Sequence, residues 1–152
     1  MRIELINTGS ELLHGRVLNT HQQWLGQQLA TAGYELTHQQ TVPDTGVAIQ
    51  AAVREAIVRS ELVIVTGGLG PTSDDITRQR IAELLDTPLE EHAETRDRIT
   101  AIFRKIKRPM PEAVLGQAQV PAGAIVSSVI SLNLISDGVA EISRMRARAV
   151  EV

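Results

Sequence analysis

The chain has 152 residues, of which 43% are hydrophobic and 22% charged, a balance that suits one folded domain and excludes a disordered chain. Fifteen Lys and Arg stand against eighteen Asp and Glu, and the formal charge of −3 leaves no electrostatic footprint for nucleic acid or an anionic membrane. Cysteine is absent, which excludes disulfides, thiolate zinc sites and a Cys nucleophile, and three aromatics (Trp24, Tyr34, Phe103) are too few for a base-stacking platform on single-stranded nucleic acid.

Ile3–Ile6 reads as a first strand that runs into the turn-rich Asn7-Thr8-Gly9-Ser10. A helix follows near 18–32, with Leu18, Leu25, Leu29 and Ala32 on one face, Asn19 or Thr20 as cap and Gly33 at its end. Residues 34–42 read as extended, and Pro43-Asp44-Thr45-Gly46 as a turn. A second helix covers about 46–59. Leu62–Val65 is a short unbroken apolar run, the pattern of a strand buried on both faces of a parallel sheet. A third helix is expected from Asp74 or Asp75 to just before Pro88. A fourth spans 90–107 and stops at Pro109 and Pro111. A fifth covers 112–119.

The order β-α-β-α-β-α predicts an α/β fold, three-layered, with a mostly parallel sheet and helices on both faces. Such sheets bind ligands at the carboxyl ends of their strands. No charge-free N-terminal core resembles a signal peptide, and no run approaches the ~18 apolar residues of a membrane span. The expected location is the cytoplasm.

Two loops sit where ligands are expected. In Thr66-Gly67-Gly68-Leu69-Gly70-Pro71-Thr72-Ser73-Asp74-Asp75-Ile76-Thr77, three glycines allow close backbone approach and offer N–H groups to a phosphate. No Gly-Lys-Ser/Thr follows, so this is not a Walker A loop, and Ser73 spoils a dinucleotide fingerprint. The bland alternative is a tight strand-to-helix turn. Asp74 and Asp75 beside an anion cradle make sense when a divalent cation bridges them to phosphate oxygens; their bland alternative is first-turn helix-dipole complementarity, with Thr72 or Ser73 as cap. The other loop, Thr8-Gly9-Ser10-Glu11, supplies hydroxyls and a carboxylate, Glu11, that could join the metal or orient a ribose or pterin group; its bland alternative is a solvated acid at a helix start. His14 is left out of catalysis, and His21, His38 and His92 lack metal-ligand spacing.

These two segments resemble the CinA (competence/damage-inducible protein A) family, the first extending through Leu12-Leu13-His14-Gly15-Arg16-Val17-Leu18-Asn19-Thr20. A third similar segment is Lys107-Arg108-Pro109-Met110-Pro111-Glu112, followed by Gln117-Ala118 and Val120-Pro121-Ala122-Gly123-Ala124. The resemblance implies the molybdopterin-binding-like fold of the MogA, MoaB and MoeA proteins. Against their Thr-Gly-Gly-Thr-Gly and Arg-Asp-x-Thr elements, Asp75 and Thr77 match, while Leu69 and Asp74 are CinA-like replacements. That branch implies a metal-dependent nucleotide pyrophosphatase acting on ADP-ribose-type dinucleotides. Its catalytic residues would be Asp75 and Asp74, and its metal ligands Asp74, Asp75 and Glu11. Ligand contacts would come from Thr8, Gly9, Ser10, Glu11, Asn19, Thr66, Gly67, Gly68, Gly70, Thr72, Ser73 and Thr77. Mg²⁺, with or without K⁺, is the implied cofactor; molybdopterin is the less favoured ligand. Relatives form dimers or trimers, so self-association is expected. The alternative is a non-catalytic pterin- or nucleotide-binding module, or an inactive fragment of a longer protein.

The resemblance covers about 1–126. Many relatives also carry an amidase domain acting on nicotinamide mononucleotide, for which 152 residues leave no room. The family's Asn-Pro-x-Gly-Thr-Ala-Pro-Gly loop is replaced by Ser127-Ser128-Val129-Ile130-Ser131-Leu132-Asn133-Leu134. Residues 127–152 therefore read as a divergent tail from a frameshift, a gene-boundary error or a truncated paralogue. The alternative is an amphipathic terminal helix with Val139, Ile142 and Met145 on one face.

Overall fold

In the computed structural model, which describes residues 1–126, three parallel strands form the main sheet: β1 (Ile3–Thr8), β2 (Leu36–Val42) and β3 (Leu62–Thr66), in the order β2-β1-β3. The crossover from β1 to β2 runs through α1 (Ser10–Leu13) and α2 (Thr20–Thr31); the return from β2 to β3 runs through α3 (Gly46–Arg59). The two crossovers step in opposite directions along the sheet. With right-handed connections, α2 and α3 then cover opposite faces.

The core on the α3 face comprises Ile6, Val42, Ile49, Ala52, Val53 and Ala56, with Val63, Val65, Ile76, Ile81 and Leu84 packed around it. The apolar positions of α3 recur at i, i+3, i+4 and i+7, which puts them on one stripe toward the sheet. At its start, α2 is capped by Asn19, whose side chain accepts from the Gln22 N–H. It ends at Gly33 in the left-handed region, where the Tyr34 N–H reaches back to the Leu29 carbonyl at 2.8 Å.

Four expectations need correction. Leu62–Val65 belongs to a strand that is half-buried throughout, whereas β1 is buried along its whole length; among the described residues β1 is the strand with a neighbour on each side. The third helix, α4 (Thr77–Leu84), starts later than Asp74 because residues 72–75 close a turn of their own, Asp75 N–H to Thr72 C=O. Glu90 does not open a helix: Leu89–Glu91 is a strand, β4, and α5 (Ala93–Lys105) begins after it, capped by the His92 side chain. The expected helix over 112–119 divides into α6 (Glu112–Leu115), a 3₁₀ turn over Gly116–Ala118, and β5 (Gln119–Pro121). β4 and β5 pair antiparallel, Leu89 opposite Pro121, so the domain adds a small antiparallel sheet to the parallel one. Three-residue strands are too short to show a period, and each needs a partner about thirty residues away in the chain.

Near the amino end of the main sheet a register shift between Ile3 and Glu4 skips Thr37, whose hydroxyl bonds the Ile3 carbonyl at 2.9 Å. The shift sets His38 opposite Glu4. The expected tail, 127–152, lies outside the described residues. Among the described residues no helix is long and apolar enough to cross a membrane.

Candidate functional site

The register aligns Thr8, Val42 and, one residue short, Thr66 at the carboxyl edge of the sheet, so the loops that follow all open on one side. Asn7, buried one residue inside that edge, accepts from the Thr66 hydroxyl at 3.0 Å and donates to the Gln40 carbonyl at 3.3 Å. This cross-strand belt satisfies an otherwise costly buried amide and holds the three strand ends level.

The glycine loop folds back onto β1. Gly67 has φ +92° and Gly68 φ +60°, both in the left-handed region. A Cβ at Gly67 would overlap the Thr8 carbonyl, and one at Gly68 would overlap the Thr77 hydroxyl. The loop is pinned there by the Thr77 N–H to the Gly68 carbonyl, 3.1 Å, and by a buried hydroxyl pair, Thr8 with Thr77, at 3.2 Å. Chain packing thus accounts for the first two glycines. Their own N–H groups donate to no other backbone carbonyl among the described residues.

Beyond them the chain forms a second closed unit. The Thr72 N–H donates to Asp75 Oδ2 at 3.0 Å and the Thr72 hydroxyl donates to the same oxygen. The Thr72 hydroxyl, then the Thr72 N–H and the Gly70 N–H, with Arg78 nearby, hold the Asp75 carboxyl below the usual carboxylate range despite some desolvation. Gly70 has no room for a side chain because the Asp75 carboxylate faces it. Ser73 and Asp74 are exposed on the turn.

The other loop is tied to the turn after β2. Ser10 N–H donates to Asp44 Oδ2 at 2.7 Å, Asp44 N–H donates to Ser10 Oγ at 3.3 Å, and Gly9 N–H donates to the Val42 carbonyl at 3.1 Å. The Glu11 carboxylate folds back over Gly9, with Oε1 2.7 Å from where a Cβ would stand.

The residues expected to form the site therefore fall into linked groups. Thr8, Gly67, Gly68 and Thr77 touch one another; Gly70, Thr72 and Asp75 form the adjoining turn; Gly9, Ser10 and Glu11 flank them from the first loop. Thr66 ends β3 on the Asn7 belt. Asn19 is engaged in capping α2, and its Nδ2 is buried with no protein partner among the described residues. No three His, Asp or Glu side chains converge as a metal cluster among the described residues, so Glu11, Asp74 and Asp75 do not make a complete protein cage by themselves.

Two residues at the site carry no role in the sequence reading. Asp44 was legible as turn chemistry, but its partner Ser10 lies 34 residues away. Arg78 directly follows the loop motif and reaches back, donating Nη2 to the Leu69 carbonyl at 2.8 Å and Nη1 to the Gly116 carbonyl. It thereby fastens the glycine loop to the segment after α6. Burial lowers the Arg78 pKa, and Asp75 opposes that shift.

Comparison with known proteins agrees with the geometry. The family described as "Probable molybdopterin binding domain" matches residues 4–142. A CinA-like protein of Akkermansia muciniphila is 41% identical over 126 residues, which is 83% of this chain and 30% of that protein. The crystal structure of CinA from Thermoplasma acidophilum has a TM-score of 0.71 at 29% identity, covering 86% of this chain and 76% of that one. MoaB of Pyrococcus furiosus, a tungsten-cofactor-synthesising protein, shares the fold with a TM-score of 0.61 at 19% identity, over 99% of this chain and 94% of its own. The chain spans about 30% of the length of the curated relatives it matches. With its family segments in order on a parallel sheet of the MoaB and MogA kind, the chain belongs to the molybdopterin-binding-domain family, and it is similar over about 126 residues to proteins named CinA-like.

Proposed function

We propose that this domain is a metal-dependent nucleotide pyrophosphatase, hydrolysing ADP-ribose-type dinucleotides to AMP and a sugar phosphate. The observation that carries the reading is the pairing of spare Gly67 and Gly68 amides with the ionised Asp75 carboxylate at the carboxyl end of a parallel sheet. Amides attract a diphosphate and a bare carboxylate repels it, so the two serve one ligand when a cation lies between them.

The donor set suits Mg²⁺, which takes one or two carboxylates and fills its remaining positions with substrate oxygens and water. Asp75 and Asp74 would hold it, with Glu11 approaching from the first loop. Both Thr72 hydrogen bonds end on Asp75 Oδ2, and neither uses Oδ1. When bound, the metal neutralises phosphoryl charge and acidifies a water. The chain's own part is to keep Asp75 ionised, to fix the loop through Thr8, Thr77 and Arg78, and to present amides to the diphosphate. K⁺ is the candidate accompanying ion.

The test is incubation of purified protein with ADP-ribose, Mg²⁺ and K⁺, with AMP quantified by chromatography. AMP formation that disappears in Asp75→Ala supports the reading; AMP formation that survives it overturns the metal assignment. A second reading is a binding module for a nucleotide or molybdopterin without turnover, and the lack of a three-carboxylate cluster among the described residues favours it. Its signature is ligand-dependent thermal stabilisation with no AMP. Neither signal, in a protein without a cooperative melt, would mark an inactive fragment. Cytoplasmic location and self-association as a dimer or trimer accompany the first reading.

A further inference from the structure

A cavity of about 520 Å³ opens beside the glycine loop, between it and the helices α5 and α6. Its lining includes Leu69 and Arg78 from the loop side, and Thr95, Ile99, Phe103 and Gln117 from the other. This volume lies within the ~300–1,000 Å³ of small-molecule sites, and the composition, an apolar wall with a few polar groups, is the usual one. Phe103 is the chain's single phenylalanine and one of its three aromatics. It sits half-buried on α5, whose Ile99 is 5% exposed and whose Ile102 remains 43% exposed at the mouth. The strongest structural tie is Arg78. Its Nη2 and Nη1 donate to backbone carbonyls, Leu69 on the loop and Gly116 opposite, so it braces the boundary between loop and cavity.

We infer that this cavity receives the flat heteroaromatic ring of the ligand, with Phe103 as its aromatic face, the Gln117 amide reading the ring edge and the Thr95 hydroxyl oxygen as an added acceptor. The inference rests on the reading of the glycine loop as a diphosphate site. Three observations converge on a ring. The cavity shares Leu69 with the loop, so a molecule anchored there by phosphate can extend into it without leaving the protein surface. Its wall is apolar and aromatic, which suits the π-face of a base and not a ribose or a phosphate. Its polar groups are neutral apart from Arg78, whose guanidinium is engaged by carbonyls; the Thr95 hydroxyl donates to His92 Nδ1 at 2.8 Å and keeps its oxygen as an acceptor, and the Gln117 amide brings both a donor and an acceptor. A base edge, uncharged and carrying both donors and acceptors, complements a hydroxyl and an amide. Adenine of a dinucleotide and a pterin share this chemistry.

The experiment measures binding of three probes to the whole chain: adenosine, a pterin and inorganic diphosphate with Mg²⁺. Calorimetry is combined with NMR observation of the Phe103 ring. Phe103→Leu keeps apolar bulk and removes the ring. Ile102→Glu, at a half-exposed position, places a carboxylate at the mouth and covers the case in which Phe103→Leu does not fold. Adenosine or pterin should move the Phe103 signals, and each variant should weaken that binding about tenfold while diphosphate binding is unchanged. Equal weakening of diphosphate and ring, or no weakening of either ring, overturns the inference. Adenosine responding supports a nucleotide base as occupant, and a pterin responding alone supports the binding-module ligand. The failure of this inference is separable from that of the pyrophosphatase reading: ring binding without AMP release keeps the cavity and loses the chemistry. AMP release with a silent Phe103 does the reverse.

Discussion

A carboxylate is held below its usual range at each end of the parallel sheet, Glu4 near the amino end of β1 and Asp75 in the loop after the carboxyl end of β3, and the two are held differently. At the amino end Glu4 has no exposed surface, and both of its oxygens are taken. Arg59 donates Nη2 to Oε1 at 2.6 Å and Nε to Oε2 at 2.9 Å, Ser60 adds a bond at 3.1 Å, and Gln40 another at 3.1 Å. His38 stands 3.9 Å off. The Arg59 hydrogen bond is the largest cause of the lowered Glu4 pKa, and desolvation opposes it. At the carboxyl end Asp75 is held by its own turn, through the Thr72 hydroxyl and N–H on Oδ2 and the Gly70 N–H, with Arg78 nearby. A carboxylate saturated by a guanidinium fork is a structural clasp. A carboxylate ordered by a local turn, with no guanidinium fork on it, can meet a ligand. Charge alone would not have separated them; the inventory of partners does.

The largest break should come from Gly67→Val. The new side chain would meet the Thr8 carbonyl at a backbone angle that β-branched residues avoid. We expect a loss of about 3–4 kcal/mol, read from chemical denaturation midpoints, with ligand binding lost as well. Next, Asp75→Asn should reduce AMP formation roughly a hundredfold while the folded state persists. Steady-state assays beside a thermal melt check both halves, and a variant with unchanged turnover would remove Asp75 from the chemistry.

Glu4→Gln should do the converse, leaving turnover intact and destabilising the fold by about 1–2 kcal/mol. That is less than the roughly 3–5 kcal/mol of a deep ion pair, because the partner Arg59 still reaches water. The same pair sets an acid limb. Both carboxyls titrate lower folded than unfolded, so between the two values the unfolded chain binds more protons and stability rises with pH. Their contribution is present above the ordinary values of 4.5 and 3.8, and is lost as pH falls through the folded ones. Melting curves from pH 6 to about pH 2 should show the limb, flattened in Glu4→Gln. The smallest effect is expected of Asp44→Ala, which removes the acceptor of the Ser10 N–H at the start of α1. About 1 kcal/mol or less is typical of a lost cap. Weakened ADP-ribose binding beyond that cost would show that the tie positions the first loop.

Much of this was legible because it is local. The cap at Asn19, the stop at Gly33, the extent of α3 and the apolar stretch of β3 each depend on residues within a turn or two of one another. The glycine loop and its two aspartates could be read as a ligand segment for the same reason. What could not be read was which partner each group would meet. Leu62–Val65 is more apolar than Ile3–Thr8, yet among the described residues the latter, with Glu4 and Asn7 in it, is the strand flanked on both sides. His92 carries no metal spacing and instead caps α5. Arg78 lies one residue past the motif and still needed the fold to bring Gly116 within its reach.

By itself the sequence determined the α/β alternation, the positions of most helices and the two loops that close the sheet's carboxyl edge, since hydrophobic period, capping and turn chemistry are properties of short stretches. Tertiary structure decided the strand order, the antiparallel pairing of β4 with β5, the split between the Glu4 clasp and the Asp75 turn, and the cavity beside Leu69. These are matters of register and packing between segments far apart in the chain, and a residue's own pattern reports how buried it tends to be without naming what buries it.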